Sequence, residues 1–291
     1  HIALLLSNAL FFIMVSLAIG KRVYAVNLER LAGERQGNGL NMPNIYPKKG
    51  FTVPYKDIKL FFRDTGQWSQ LLIIMSLVLV YVYNFKAVPL ATLSEVTPLI
   101  KEFLVLLNML MCGLVMSAVA GRFVYPSVSL EGEAFWVIRS APVDMKSFLL
   151  SKFVYGSIPL MALTAVTVTL TNFILDVRGP LSYISTATVV MLSVSVGGLG
   201  AGLGAIYPKF KYDNIASVSI SLGAMAFMLI AFFLVLMTVS IEAWNFYLYY
   251  KAGRVDWPFI SISLMVIILI NFLSAYLPLR AGVKRLRMME E

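Results

Sequence analysis

The chain has 291 residues, of which 59% are hydrophobic and only 13% are charged. Soluble domains carry roughly 25% charged residues, so this composition excludes an ordinary soluble protein and predicts an all-α, polytopic transmembrane helical bundle. The net charge is +9. Because the basic residues lie in blocks between long apolar runs, they indicate membrane orientation rather than binding to nucleic acid.

Seven stretches are long and apolar enough to cross a bilayer, which takes about 20 residues of α-helix. They are 2–20, 69–90, 103–121, 153–175, 183–206, 215–241 and 258–279. We expect a first transmembrane helix at 1–20, a cytoplasmic linker at 21–68 and a six-helix transmembrane domain at 69–291. The first residue is His1 rather than Met, and no signal-peptide pattern surrounds the first apolar run. We therefore expect the chain to be the C-terminal part of a longer protein.

Most of the 24 Lys and Arg residues fall in alternate connections between the predicted spans. These connections are 21–68, 122–152, 207–214 and 280–291. Cytoplasmic loops carry an excess of Lys and Arg, so we expect a multi-pass protein of the cell (inner) membrane with a cytoplasmic C-terminus.

The linker contains a short amphipathic pattern at 55–64, with aromatic residues on one face of a helix and basic residues on another. Such a helix suits the membrane surface, and an ordinary solvated linker helix is the alternative. The predicted interfacial residues are Lys56, Lys59, Phe61, Phe62, Arg63 and Trp68.

The connection 122–152 combines aromatic and charged residues in a way that is typical of a docking surface. Exposed Phe135 and Trp136 are costly unless they meet the membrane surface or another protein. We expect both to anchor an interface that Glu131 and Arg139 orient, and a simple elbow at the membrane surface is the alternative. The predicted docking residues are Glu131, Gly132, Glu133, Phe135, Trp136, Arg139 and Pro142.

Four alternating glycines lie within the predicted span 183–206: Gly198, Gly200, Gly202 and Gly204. They resemble a phosphate-binding loop superficially, but no strand precedes them and no Lys lies nearby. Gly198 with Gly202, and Gly200 with Gly204, form GxxxG pairs, which let two helices approach closely. We therefore expect these glycines to serve helix packing.

The sequence offers little catalytic chemistry. It lacks a GxxxxGK[ST] motif, so we expect the chain not to be an enzyme and not to hydrolyse ATP. His1 is the single histidine and Cys112 the single cysteine, so we expect no catalytic residues and no metal site. The predicted spans contain no clear ionisable residue, which argues against an ion-coupled carrier. Their main polar groups are Asn108, Asn172 and Asn271, which either bond between helices or line a substrate path.

Three segments together resemble a family of bacterial ATP-binding-cassette exporter permeases of the type-2 kind. They are KD…FFRD…QWSQ at 56–70, SLEGEAFW…RSAP at 129–142 and GAIYPKF at 204–210. The EGEAFW piece is the most specific. Glu133 departs from the pattern, because many relatives have a basic residue at that position.

The resemblance implies a membrane permease subunit with an unidentified substrate, and the lack of charge in the predicted spans suggests that this substrate is lipid-like or amphipathic. It implies further spans upstream, a cytoplasmic ATP-binding-cassette ATPase as partner, and a second permease copy or half. ATP and Mg²⁺ would bind to that ATPase and no cofactor to this chain. The alternative function is a non-transporting membrane scaffold or assembly protein.

Overall fold

The structure, a computed structural model, describes residues 98–140, 144–174, 180–211, 215–252 and 257–289, and parts of 72–83. All of them lie in one compact unit, Pro47–Glu291. The described residues form helices, turns and short connections without a strand, which confirms the all-α fold class. The predicted span 2–20 and the predicted interfacial helix, with Lys56, Lys59, Phe61, Phe62, Arg63 and Trp68, lie outside the described residues.

The described part of the chain after residue 97 contains seven α-helices. They are α1 (Pro98–Phe123), α2 (Phe135–Ser140), α3 (Met145–Ile174), α4 (Pro180–Ile206), α5 (Ile215–Ser219), α6 (Leu222–Ala252) and α7 (Trp257–Met288). Two 3₁₀ segments, Tyr125–Ser127 and Ser129–Ala134, connect α1 to α2. We call residues 125–140, which comprise these two segments and α2, the elbow.

Five described helical segments are long and apolar enough to span a membrane: Phe103–Glu133, Met145–Ile174, Tyr183–Ile206, Leu222–Leu248 and Pro258–Met288. Their length and composition are consistent with a membrane protein, as the composition predicts. The predicted count of seven is not confirmed, because 2–20 lies outside the described residues and 69–90 is described only in part.

Helix α4 forms the centre of the described bundle and packs against α1, α3, α6 and α7. In the most apolar 18 residues of its span, 78% is buried inside the bundle, whereas the corresponding share for α7 is 17%. The difference follows from position, since α4 is surrounded by four helices whereas much of α7 faces outward. Large apolar side chains such as Met265 and Phe272 of α7 are exposed, as expected for a surface solvated by lipid.

The helix ends differ from the apolar runs in two places. Helix α7 continues to Met288, past the predicted end at 279, because Arg and Lys side chains in its last turns can extend toward water while the backbone stays helical. The predicted span 215–241 is divided, because a turn at 220–221 separates α5 from α6. There Ser221 Oγ accepts the Ala224 N–H at 3.3 Å and so caps α6.

Candidate functional site

The elbow is held against the helices by an aromatic cluster around Phe135. The ring of Phe135 stacks on Phe210 with centroids 4.6 Å apart and lies 5.9 Å from the ring of Phe148. Phe135 is only 5% exposed. The expectation that Phe135 is exposed for docking is therefore wrong, because its ring belongs to the hydrophobic core.

A buried ion pair fixes the middle of the elbow. Lys152 Nζ of α3 lies 2.5 Å from Glu131 Oε1, and both side chains are almost fully buried. Removing one partner of such a pair leaves an uncompensated buried charge, which is strongly destabilising. Glu131 is thus paired with Lys152 and its carboxylate is buried. The expectation that Glu131 orients a docking interface from the surface of the loop is therefore wrong.

Gly132 supplies the bend between Glu131 and α2. Its φ is 56° and its ψ is −143°. Residues other than glycine rarely adopt a backbone conformation with such a positive φ. Its carbonyl oxygen accepts the Phe135 N–H. This turn directs the chain so that Phe135 points into the core and the next residue does not.

Trp136 is a large side chain of the elbow that is not buried in the core. It is 67% exposed, and the neighbouring Val137 is 49% exposed. The charged side chains of Glu133 and Arg139 are exposed as well. Of the predicted docking residues, the structure thus places Glu133, Trp136 and Arg139 on the surface. Pro142 lies outside the described residues.

The elbow is also tied to the segment that follows α4. The Lys209 N–H donates to Ser129 Oγ at 3.0 Å, and the hydroxyls of Tyr125 and Ser221 lie 3.2 Å apart. Tyr125 is fully buried. The residues 204–210 and 129–136, which carry the family resemblance, therefore pack against each other in space.

The four alternating glycines of α4, from Gly198 to Gly204, lie at close approaches to neighbouring segments. A Cβ atom at Gly198 would lie 2.6 Å from the Cβ of Ala275, and one at Gly202 would overlap the backbone of Pro278 and Leu279. A Cβ at Gly204 would collide with the carbonyl oxygen of Tyr125. At Gly200 the nearest atoms are side chains of Phe227 and Val124 at 3.4 Å. Three of the four positions thus have no room for a side chain.

The polar residues of the spans fall into separate clusters. Asn108 donates to Thr171 Oγ1 at 2.8 Å and to Asn172 Oδ1 at 3.4 Å. Asn172 donates in turn to Ser185 Oγ at 3.1 Å. Asn271 donates to Thr238 Oγ1 at 3.3 Å. Each asparagine thus connects two or more helices, the first of the two roles that the sequence left open.

The expectation that the spans lack ionisable residues is wrong. Glu242 lies inside the span Leu222–Leu248 and is 1% exposed. Lys152 lies inside the span Met145–Ile174 and is 3% exposed. Sequence inspection missed Glu242 because the predicted span ended at 241. The signal that could have found it is the apolar sequence on both sides, from Val239 to Trp244.

An exposed ion pair joins the start of α3 to the end of α7. Arg287 donates to Asp144 Oδ1 at 2.8 Å. The hydrogen bond from Arg287, followed by one from the Lys146 N–H, lowers the pKa of Asp144 below its ordinary value. The Lys146 N–H reaches the same oxygen at 3.3 Å, so the Asp144 side chain caps the N-terminus of α3.

Comparison with known families gives one match: the model of the family described as "Putative ATP-binding cassette" matches residues 1–291. Comparisons with curated proteins and with solved structures found no match. The match supports a relation to ATP-binding-cassette proteins. It does not support the type-2 permease kind or the assignment to a C-terminal half.

The family description also corrects two expectations. It names an ATP-binding cassette, the ATP-hydrolysing component, and so contradicts both an exporter permease subunit and a chain without ATPase activity. The described residues are nevertheless helical, which is not typical of the ATPase fold. Since the family model matches the chain over all of its 291 residues, the protein belongs to this ATP-binding-cassette family.

Proposed function

We propose that the chain is a membrane-embedded component of an ATP-binding-cassette transporter and that its elbow contacts a nucleotide-binding ATPase. ATP and Mg²⁺ bind to that partner in this proposal. Two findings support it: the family match over residues 1–291 and five described segments able to span a membrane. The observation that carries the docking site is Trp136, an exposed aromatic side chain on a rigidly held elbow.

Rigidity matters because a docking surface must transmit movement. The elbow is fixed by the Phe135 ring in the core, by the buried pair of Glu131 and Lys152, and by the Lys209–Ser129 hydrogen bond. Movement of a partner bound at Trp136 would therefore be transmitted to α3 and α4 and would not be lost in a flexible loop. Rigid-body shifts of packed helices are a common form of conformational coupling.

The chemistry of the exposed face suits a protein partner. Trp and Arg are enriched at the energetic centres of protein interfaces, and Trp136 and Arg139 are both exposed on α2. Further exposed basic residues lie at the ends of the neighbouring helices: Arg122, Lys146, Lys209, Lys211, Lys284 and Arg285. This basic end faces the cytoplasm in our proposal, in accord with the positive-inside rule.

The test compares Trp136→Ala with Tyr183→Ala after purification from native membranes in mild detergent. Tyr183 is 79% exposed and lies near the start of α4, at the opposite end of that helix from residues 204–206. We expect the wild type and the Tyr183 variant to co-purify with a protein that binds and hydrolyses ATP. We expect Trp136→Ala to lose that protein by about tenfold or more, as is typical of an aromatic hot spot.

Two results would overturn the proposal. If Trp136→Ala retains the ATPase fully, the tryptophan is a membrane-surface anchor and the docking site lies elsewhere. If the wild-type chain, freed of every other protein, binds and hydrolyses ATP itself, the cassette activity named by the family belongs to this chain and no partner ATPase is needed.

A further inference from the structure

Glu242 brings a carboxyl group into the described bundle, and the proposed function makes no use of it. It is 1% exposed and lies on α6, six residues before the end of the span Leu222–Leu248. An isolated carboxylate in so apolar a region costs several kcal/mol or more. Something must therefore neutralise its charge.

The described groups that form hydrogen bonds with Glu242 are neutral. Thr188 of α4 donates to Glu242 Oε1 at 3.0 Å, and Asn245 Nδ2 lies 3.4 Å from Glu242 Oε2. Ser263 of α7 donates to Asn245 Oδ1 at 2.8 Å. The carboxyl group thus lies within a chain of hydrogen bonds that joins three helices, and every member of the chain is buried.

No described cation reaches the carboxyl group. Helix α6 packs against α1, α4 and α7. The titratable or charged side chains that the structure describes on these four helices, besides Glu242, are Cys112, Arg122, Tyr183, Tyr247, Tyr276, Arg280, Lys284, Arg285 and Arg287. None of these described side chains forms a hydrogen bond or an ion pair with Glu242.

A metal cation is a poor fit for the cluster. Oxygen ligands surround a bound cation and are held apart by it. Here the Thr188 oxygen lies at hydrogen-bond distance from the Glu242 oxygen, and the Ser263 oxygen lies at hydrogen-bond distance from that of Asn245. The polar atoms bond to one another, which leaves the proton as the neutralising ligand.

We propose that Glu242 is a reversible proton-binding site within the membrane-spanning bundle, with Thr188 and Asn245 as its positioning residues. Buried carboxyl groups in membrane helices commonly mark proton relays. The site joins α6 to α4 directly and to α7 through Asn245 and Ser263. Loss of the proton would leave a buried charge at the junction of the three helices and so favour a different packing of them.

The test is infrared spectroscopy of the full chain in lipid nanodiscs, with the pH changed in steps. We expect the wild type to show the carbonyl band of a protonated carboxyl group at pH 7 and to lose it at high pH. Glu242→Gln keeps the shape and the neutral charge but cannot release a proton, so the band is absent. Glu133→Gln, which changes an exposed glutamate of the elbow, is the matched control and keeps the band.

A second variant tests the positioning role. Thr188→Val removes the hydroxyl that donates to Glu242, and we expect it to shift the pH at which the band disappears to higher values without abolishing it. The proposal is wrong if Glu242→Gln leaves the wild-type spectrum unchanged. It is equally wrong if the wild-type Glu242 is ionised at pH 7 and binds Na⁺ or Ca²⁺ with saturation that the Glu242→Gln variant loses.

Discussion

Phe135 and Trp136 are consecutive residues of similar character with opposite environments. The sequence indicates that two adjacent aromatic side chains in a polar connection must be buried by something. It does not indicate which of the two is buried in the protein's own core. The positive φ of Gly132 and the start of α2 at Phe135 turn the first ring inward onto Phe210. That outcome depends on a residue 75 positions later in the chain, which local reasoning could not supply.

The buried charges show the same limit. Glu131 was predicted from its position as a surface residue of a docking loop, and the structure pairs it with Lys152 of α3. Glu242 was overlooked because the predicted span 215–241 ended one residue before it. Only packing reveals that α4 and α7 close around that region and remove it from solvent.

The Asp144–Arg287 pair predicts a pH dependence of stability. Arg287 lowers the pKa of Asp144 in the folded state, so between the lowered and the ordinary value, about 3.9, the unfolded state binds more protons. The stabilisation is therefore present above the ordinary value and is lost as the pH falls through the folded one. We expect thermal unfolding in detergent between about pH 5 and pH 3 to show a steeper loss for the wild type than for Asp144→Asn.

Arg287→Gln provides the control, because it removes the main cause of the lowered pKa while leaving the carboxyl group. It should flatten the same part of the pH profile. Parallel profiles for the wild type and both variants would show that the ion pair contributes nothing measurable, as many exposed pairs do.

At the level of whole elements, the long apolar helices were the most predictable feature. The predicted spans 103–121, 153–175, 183–206 and 258–279 each fall on a described helix, because helices that cross lipid must satisfy every backbone hydrogen bond internally over a fixed thickness. The helix ends were less predictable. The start of α3 at Met145 lies eight residues before the predicted start at 153, since hydropathy does not register a helix that continues beyond the apolar layer.

The glycines of α4 predict a contrast between two substitutions on the same helix. A Cβ at Gly202 would overlap the backbone of Pro278 and Leu279, which cannot move aside without shifting α7. A Cβ at Gly200 meets only side-chain atoms at 3.4 Å. We expect Gly202→Ala to destabilise the protein by about 1–3 kcal/mol.

Gly200→Ala is the matched control and should change stability by no more than about 1 kcal/mol, since alanine favours a helix over glycine by a similar amount. The measurement is the thermal unfolding of both variants in the same detergent. Equal effects of the two substitutions would mean that α4 and α7 separate more easily than their packing implies.

For the molecule as a whole, the sequence predicted the all-α class and a relation to ATP-binding-cassette proteins, and both are confirmed. It did not predict the activity that the family description names. The reason is physical: helices long enough to cross a membrane leave a strong pattern in composition, whereas nucleotide chemistry depends on a few residues in a particular local fold. The described residues show the helices and not that local fold.

The positions of the basic residues predict how the bundle is oriented in the membrane. The elbow is bonded to Lys209 through Ser129, and the start of α3 is paired with Arg287 at the basic end of α7. Tyr183 lies near the opposite end of α4. If basic residues face the cytoplasm, the elbow must be inside and Tyr183 outside. In a Cys112→Ala background, which removes the single cysteine, we expect Tyr183→Cys to react with a membrane-impermeant maleimide in intact cells. Ser140→Cys, at an exposed position of the elbow, should react only after the membrane is opened. The reverse labelling would place the elbow outside, where no cytoplasmic ATPase could reach Trp136.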